Sequence, residues 1–324
     1  MATPSPSPME ADADDGITTT RRRRDPVGHT DLNVRKLPWD FGDDTPFLWN
    51  PSNPRFSMVM NTVSFLAPAF ERFIVTSTRA AMRRMDDPDA LAEADAFLRQ
   101  EALHARAHRN HTAALVRRYP GLAHVLAAFD ASYDQLLASK PLHYHLAYSA
   151  DIEATFTPFF NVMLRHRDTL FDNGDPRIAP LFLWHLVEEI EHRSSAKVVY
   201  DAVVPFPWYR TRVAPSVFAH ILGCFNMLCR AVDEHVPFAD RGMDVTEMVV
   251  GPGTFRSVVS RPDLPSYLDG VSKREIIVMM GRLVRSQAPH HSPAGEETPP
   301  FADEWITAYD GGANVVDWYR VAGD

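Results

Sequence analysis

Three side chains of the segment Leu183–His192, which reads LWHLVEEIEH, share the spacing of one helix face: His185, Glu189 and His192, at i, i+4 and i+7. At about 100° per residue they fall within roughly 60° of one another and can point at one place. Gln100–His108, reading QEALHARAH, repeats the pattern with Glu101, His104 and His108. Two Glu-x-x-His pairs result, Glu101/His104 and Glu189/His192. On two helices of a four-helix bundle, joined by one Glu from each of the other two, such pairs build a carboxylate-bridged two-metal centre. Two cations held close together repel. Bridging carboxylates neutralise that charge, and terminal imidazoles complete each coordination shell. Hard oxygen with imidazole nitrogen suits Fe and Mn and tolerates Zn.

The remaining carboxylates must come from helices lying alongside. Glu71 sits among Phe70, Phe73, Ile74 and Val75, and Glu153 between Ile152 and the apolar Phe156, Phe159, Phe160 and Met163. Both are costly places for an unpaired carboxylate. Glu71 precedes the turn at Asp87 by 16 residues (87 − 71) and Glu101 follows it by 14 (101 − 87), roughly 24 and 21 Å of helix. Glu153 precedes Asp168 by 15 (168 − 153) and Glu189 follows Asp175 by 14 (189 − 175), about 22 and 21 Å. Two antiparallel hairpins, each with Glu on its first helix and Glu-x-x-His on its second, then bring four carboxylates to matched depth. Carboxylates this close are expected to raise one another's pKa.

The elements that must position them read as helix after helix. Phe56–Met85 is helical, with Pro68 expected to kink or restart it. Asp87-Pro88-Asp89 starts a helix that runs to Tyr119 and stops at Pro120-Gly121. Leu122–Ala138 is a shorter helix, and Pro141 opens another to about Asp168. Asp175 as cap and Pro176 as first residue predict one helix to about Val204, ended by Pro205-Phe206-Pro207. Val213–Val236 and Ser272–Ser286 read as further helices, and the proline-rich Ala288–Pro300 as irregular. Nothing alternates as strands do, so the class is all-α: a four-helix bundle with a dimetal carboxylate site and additional C-terminal helices. Residues 1–31, rich in Pro, Ser, Thr and Asp, predict a disordered arm in which Arg21–Arg24 is a solvated charge run. The bundle domain is expected over 32–250, and a C-terminal extension packed on it over 251–324.

The chain has 324 residues and a net charge of −9, which argues against a general binder of nucleic acid or of anionic membranes. Its two cysteines, Cys224 and Cys229, face different sides of a helix and make neither a disulfide framework nor a thiolate metal site. That usage predicts a reducing, cytoplasmic setting. There is no uninterrupted apolar run of about 18 residues and no secretory leader pattern. His143, His145, His290 and His291 lie outside the pattern and read as ordinary histidines. Glu188 stands at the edge of the ligand face as a support for a ligand, whereas Glu191 points away, toward solvent. Phe70, Phe156, Phe160 and Trp184 flank the ligands, as core filler or as the lining of an apolar substrate pocket.

The motifs Q-E-x-x-H-x-x-x-H at Gln100–His108 and W-H-x-x-E-E-x-E-H at Trp184–His192 resemble the ferritin-like proteins described as predicted metal-dependent hydrolases, over about residues 32–235. Separately, His185, Glu189 and His192 are similar to the last-helix motif of the di-iron arylamine N-oxygenases, in which the first His is a third histidine ligand. That resemblance implies a ligand set of Glu71, Glu101, His104, Glu153, His185, Glu189 and His192. His108 has no counterpart there and is either an eighth ligand or a residue that orients one. The implied function is a dimetal oxidase or oxygenase, with Fe/Fe or Mn/Fe and Zn as a further option. It would act on a small organic substrate with O2 and an electron donor, as a monomer or a homo-oligomer, with no nucleic-acid or membrane partner. Two alternatives stay open: a dimetal hydrolase using a metal-bound hydroxide, and a non-catalytic iron-binding bundle.

Overall fold

The first long helix, α1 (Pro54–Met82), starts where Asn53 Oδ1 accepts from the Phe56 N–H at 2.9 Å. The computed structural model describes residues 32–251 and 267–316. α1 runs unbroken through Pro68, which costs one backbone bond but sits in turns buried on both sides. The expected restart therefore does not occur. α2 (Pro88–Arg118) begins as read, with Asp87 Oδ1 accepting from the Asp89 N–H at 3.0 Å and Pro88 at its first position. α3 (Ala123–Ser139) leads back to α4 (Leu142–Arg165) and the short α5 (Arg167–Leu170).

The helix expected over Pro176–Val204 is in fact two, α6 (Ala179–Glu191) and α7 (Ser195–Val203). Asp175 delays the start. Its Oδ1 accepts from the Arg177 N–H at 2.9 Å and its carbonyl from Ile178 and Ala179, so a turn forms before the helix does. α6 ends at His192, whose backbone (φ −92°, ψ 14°) leaves helical geometry, and Ser194–Ser195 restart the chain as α7. α8 (Trp208–His235) and α9 (Phe238–Arg241) follow. α10 (Lys273–Ser286) opens on a capping box in which Ser272 and Glu275 exchange side-chain bonds to each other's backbone. α11 (Pro300–Asp310), absent from the sequence reading, buries Ala302 and Trp305.

No strand occurs among the described residues, and the class is all-α. α1 lies along α2 and touches α3, α4 and α7; α4 packs on α6, α7, α8 and α10; α11 packs on α6 and α4. One apolar cluster gathers Phe65, Phe73, Phe97, Tyr133 and Tyr148, and a second gathers Trp49, Phe160, Phe171, Phe182 and Trp184. Buried charged side chains meet both: Phe97 packs on His192, and Trp184 on His104. By length and composition α1 and α8 are each apolar enough to cross a membrane; 67% of the relevant stretch of α1 is buried, against 28% for α8. The arm expected at 1–31 lies outside the described residues.

Candidate metal centre

Glu71 comes from α1, Glu101 and His104 from α2, Glu153 from α4, His185 and Glu189 from α6, and His192 from the residue that ends α6. All seven are buried. Glu189 lies among the imidazoles. Its Oε1 is 2.8 Å from His185 Nε2 and 3.5 Å from His104 Nδ1, and its Oε2 is 3.1 Å from His192 Nε2. His192 Nε2 also lies 3.2 Å from Glu101 Oε1 and 3.6 Å from Glu153 Oε2, while His185 Nε2 lies 3.6 Å from Glu71 Oε1. The ligand atoms fall into overlapping groups, each within 4.8 Å: Glu101, Glu153, Glu189 and His192; Glu71, Glu101 and His104; His104, His185 and Glu189; and Glu71, His108 and His185. Glu101 and Glu189 therefore each face two neighbouring positions. The one on the Glu71 side has His104 and His185, with His108 also within reach, and the other has His192 alone.

These residues fit divalent cations. Both oxygens of Glu101, both of Glu153, Oε2 of Glu71 and Nδ1 of His104 are buried with no hydrogen-bond partner. Buried carboxylate oxygens without donors are costly, and a cation satisfies them. The donors are oxygen and imidazole nitrogen, while burial pushes the thiols of Cys224 and Cys229 up to about 11 and about 12, away from the thiolate a soft-metal site needs.

Each imidazole is held from behind. His104 Nε2 is 2.9 Å from Glu188 Oε2, so Glu188 backs the His104 ring. His192 Nδ1 is 3.0 Å from Gln100 Oε1. His185 Nδ1 is 2.7 Å from His108 Nε2, and His108 Nδ1 is 2.7 Å from Ser64 Oγ. With both ring nitrogens engaged, His108 stands behind His185 and orients it. Ser64 Oγ continues to His111 Nδ1 at 2.7 Å. The sequence reading passed over His111, although His104, His108 and His111 repeat the i, i+4, i+7 spacing of the opening motif.

Glu191 is not in solvent as expected. Arg35 donates to it at 2.7 and 2.8 Å, and Gln100 Nε2 at 2.8 Å. The same guanidinium donates to Glu188 at 3.1 Å. No local pattern marks Arg35, which reaches α6 from the segment before α1. Of the flanking aromatics, Phe156 lines an apolar groove between α4, α8 and α10 and stacks on Phe160 at 4.7 Å. Phe160 is buried and faces His185, and Phe70 is buried against Phe156 and Tyr148. Trp184 packs on His104 and lines a different cleft, beside Trp39. His143, His145, His290 and His291 join none of the metal-ligand groups.

Burial raises Glu71 and Glu101 well above the usual carboxylate range and Glu153 to about 8, with the Glu189 charge adding to each rise. Glu189 departs from the expected mutual rise. Burial opposes its charge, but His192, His104 and His185 together hold it well below the usual range. Burial would also lower His104 and His192, yet the carboxylates facing them keep both raised. Burial and the neighbouring His104 push His185 down to about 4.

The metal-free protein is therefore expected to lose stability between pH 6.5 and about 8. In that window the folded chain holds protons on Glu153, His104 and His192 that the unfolded chain has released, so rising pH favours unfolding. Calorimetry in chelator at the two ends of the window should show a midpoint lower by several degrees at the upper one. With metal restored the fall should flatten, because the deprotonated ligands are the ones that bind. A midpoint that rises with pH in chelator would mean that these ligands are ionised without metal.

A family model described as predicted metal-dependent hydrolase matches residues 33–268. No curated protein and no solved structure matches the chain.

Proposed function

Because the chain belongs to the predicted metal-dependent hydrolase family, we propose that it is a dimetal hydrolase of ferritin-like arrangement that cleaves an ester, amide or phosphoester. Glu71, Glu101, His104, Glu153, His185, Glu189 and His192 would hold two divalent ions. The observation that carries this reading is the convergence of four carboxylates and three imidazoles, buried and with carboxylate oxygens left unpartnered. Ions bound there would supply Lewis-acid charge, the chemistry that hydrolysis near neutral pH needs.

The chain's own residues do the rest. Glu188 Oε2, Gln100 Oε1 and His108 Nε2 each accept a hydrogen bond from the outer ring nitrogen of one imidazole, so His104 presents Nδ1, and His185 and His192 present Nε2, to the interior. Phe97, Phe160 and Trp184 pack against the rings of His192, His185 and His104 and keep bulk water from them.

A second reading, an O2-dependent oxidase or oxygenase with Fe/Fe or Mn/Fe and an external electron donor, draws on one observation. His185 adds a third imidazole and makes the Glu71 side richer in nitrogen. The test is elemental analysis of anaerobically purified protein, then turnover of chromogenic ester, amide and phosphoester substrates under argon, and Fe(II) with O2 under optical monitoring. Turnover under argon, lost on chelation, is the expected result. O2 uptake that depends on His185, with no hydrolysis under argon, would overturn the hydrolase reading in favour of the second.

A further inference from the structure

α10 packs Ile276, Met279 and Leu283 on the protein and turns a second apolar row outward. Ile277 is 72% exposed and Val284 75%, with Met280 exposed between them, while only Met279 and Ser286 of this helix are buried. A surface helix ordinarily buries such a stripe, and an outward one on a folded domain marks a contact. α8, beside it on α4, is open as well. Trp208, Leu222 and Met227 are exposed, and the stretch Val213–Cys229 contains no Asp, Glu, Lys or Arg. The groove walled by Phe156, Phe159, Phe218, Leu283 and Val284 joins the two helices into one apolar face.

Cations border this face. α10 carries Lys273, Arg274, Arg282 and Arg285 against a single carboxylate, Glu275, which is occupied by Ser272 and His166. Arg212 and Arg230 bracket the uncharged stretch of α8. None of these six cations makes an ion pair among the described residues, whereas Arg35, Arg72, Arg117 and Arg177 all do. The net charge of −9 thus conceals a local cationic border, and the expectation of no membrane partner, drawn from the sum, does not apply to this face.

We infer that the α8–α10 face is a docking surface for an anionic lipid bilayer. An outward apolar stripe edged by Lys and Arg is the arrangement of helices that lie in the plane of a membrane interface, where the stripe enters the acyl boundary and the cations meet lipid phosphates. A second copy of this chain fits less well, because a self-complementary contact would set the same unpaired arginines against each other. The inference does not depend on which reaction the buried centre performs.

The test is flotation of the full-length, metal-loaded protein with vesicles of phosphatidylcholine alone and of phosphatidylcholine with about one-third phosphatidylglycerol, at low and high salt, alongside light scattering. The expected result is co-flotation with the anionic vesicles that weakens with salt. Binding should fall at least about tenfold in Arg274→Glu/Arg285→Glu and in Ile277→Asp/Val284→Asp, with helicity and metal content unchanged. The substituted side chains are exposed, so the fold should tolerate both variants. Absence of co-flotation with anionic vesicles, or variants that bind as the parent does, would overturn the proposal. So would a dimer that these variants dissociate in the absence of lipid binding, since a second copy would then cover the face.

Discussion

On the proposed dimetal hydrolase reading, Glu189→Gln is expected to reduce bound metal from two ions per chain to one or none and to lower hydrolytic turnover by about 10³-fold or more. Loss of several kcal/mol of charge stabilisation at a metal site corresponds to that range. Three imidazoles converge on this one carboxylate, at 2.8, 3.1 and 3.5 Å, and its two oxygens face different members of the set. It is also the carboxylate whose charge the site favours most, since His192, His104 and His185 hold its pKa well below the usual range. The amide keeps the shape but loses the negative charge and one acceptor oxygen. Glu188→Gln is the contrasting change. Its side-chain carbonyl can still accept from His104, and the loss should be closer to 10- to 100-fold. Elemental analysis with turnover on each variant checks both. Two bound ions and unchanged turnover in Glu189→Gln would remove this residue from the ligand set.

Arg35→Met is expected to destabilise the protein by about 3–5 kcal/mol, the usual result of removing one partner from a buried ion pair. The guanidinium is 1% exposed, bonds Glu188 and Glu191, and lies over the rings of Trp305 and Tyr309 at 5.8 and 5.5 Å. Its removal leaves two carboxylates on one turn of α6 without a cation, and α11 without the group it packs on. A fall of about 10 °C in the thermal midpoint is the corresponding shift for a chain of this size. Metal affinity should weaken as well, because Glu188 also holds His104. Arg35→Met/Glu191→Gln should recover part of the stability by removing one of the stranded charges, a coupling that a double-mutant cycle measures. A loss below about 1 kcal/mol for Arg35→Met would show that the pair is effectively solvated.

The contents of the centre were legible along the chain. Glu-x-x-His on each of two helices is a local spacing, and the depth of a carboxylate in a hairpin follows from the number of residues to the turn. Those quantities are independent of the rest of the fold, so Glu71, Glu101, His104, Glu153, Glu189 and His192 could be assigned to one volume before any contact was known. The all-helical class followed in the same way, from periodicity and from caps such as Asp87-Pro88.

The surroundings of the centre were decided only in three dimensions. His185 and His108 have the same spacing from their Glu-x-x-His pairs and cannot be ranked by it. The antiparallel run of α2 and α6 sets one ring behind the other, at 2.7 Å, and of the two only His185 bonds a carboxylate, Glu189, while His108 is held by His185 and Ser64. Glu191 reads as a solvent residue on a helical wheel, because a wheel does not include Arg35, which is 156 positions away in the chain. The break at His192 depends on Ser194–Ser195 and the packing of α7, not on any proline or glycine in the segment. The outward row of α10 has the periodicity of a core-facing helix, and only its placement on α4 shows that Ile277, Met280 and Val284 are exposed. Spacing along a helix fixes the angle between two side chains on that helix. Which way that angle faces, and which distant residue meets it, depends on how each helix is rotated in the packed fold, and that is settled by contacts between segments far apart in sequence.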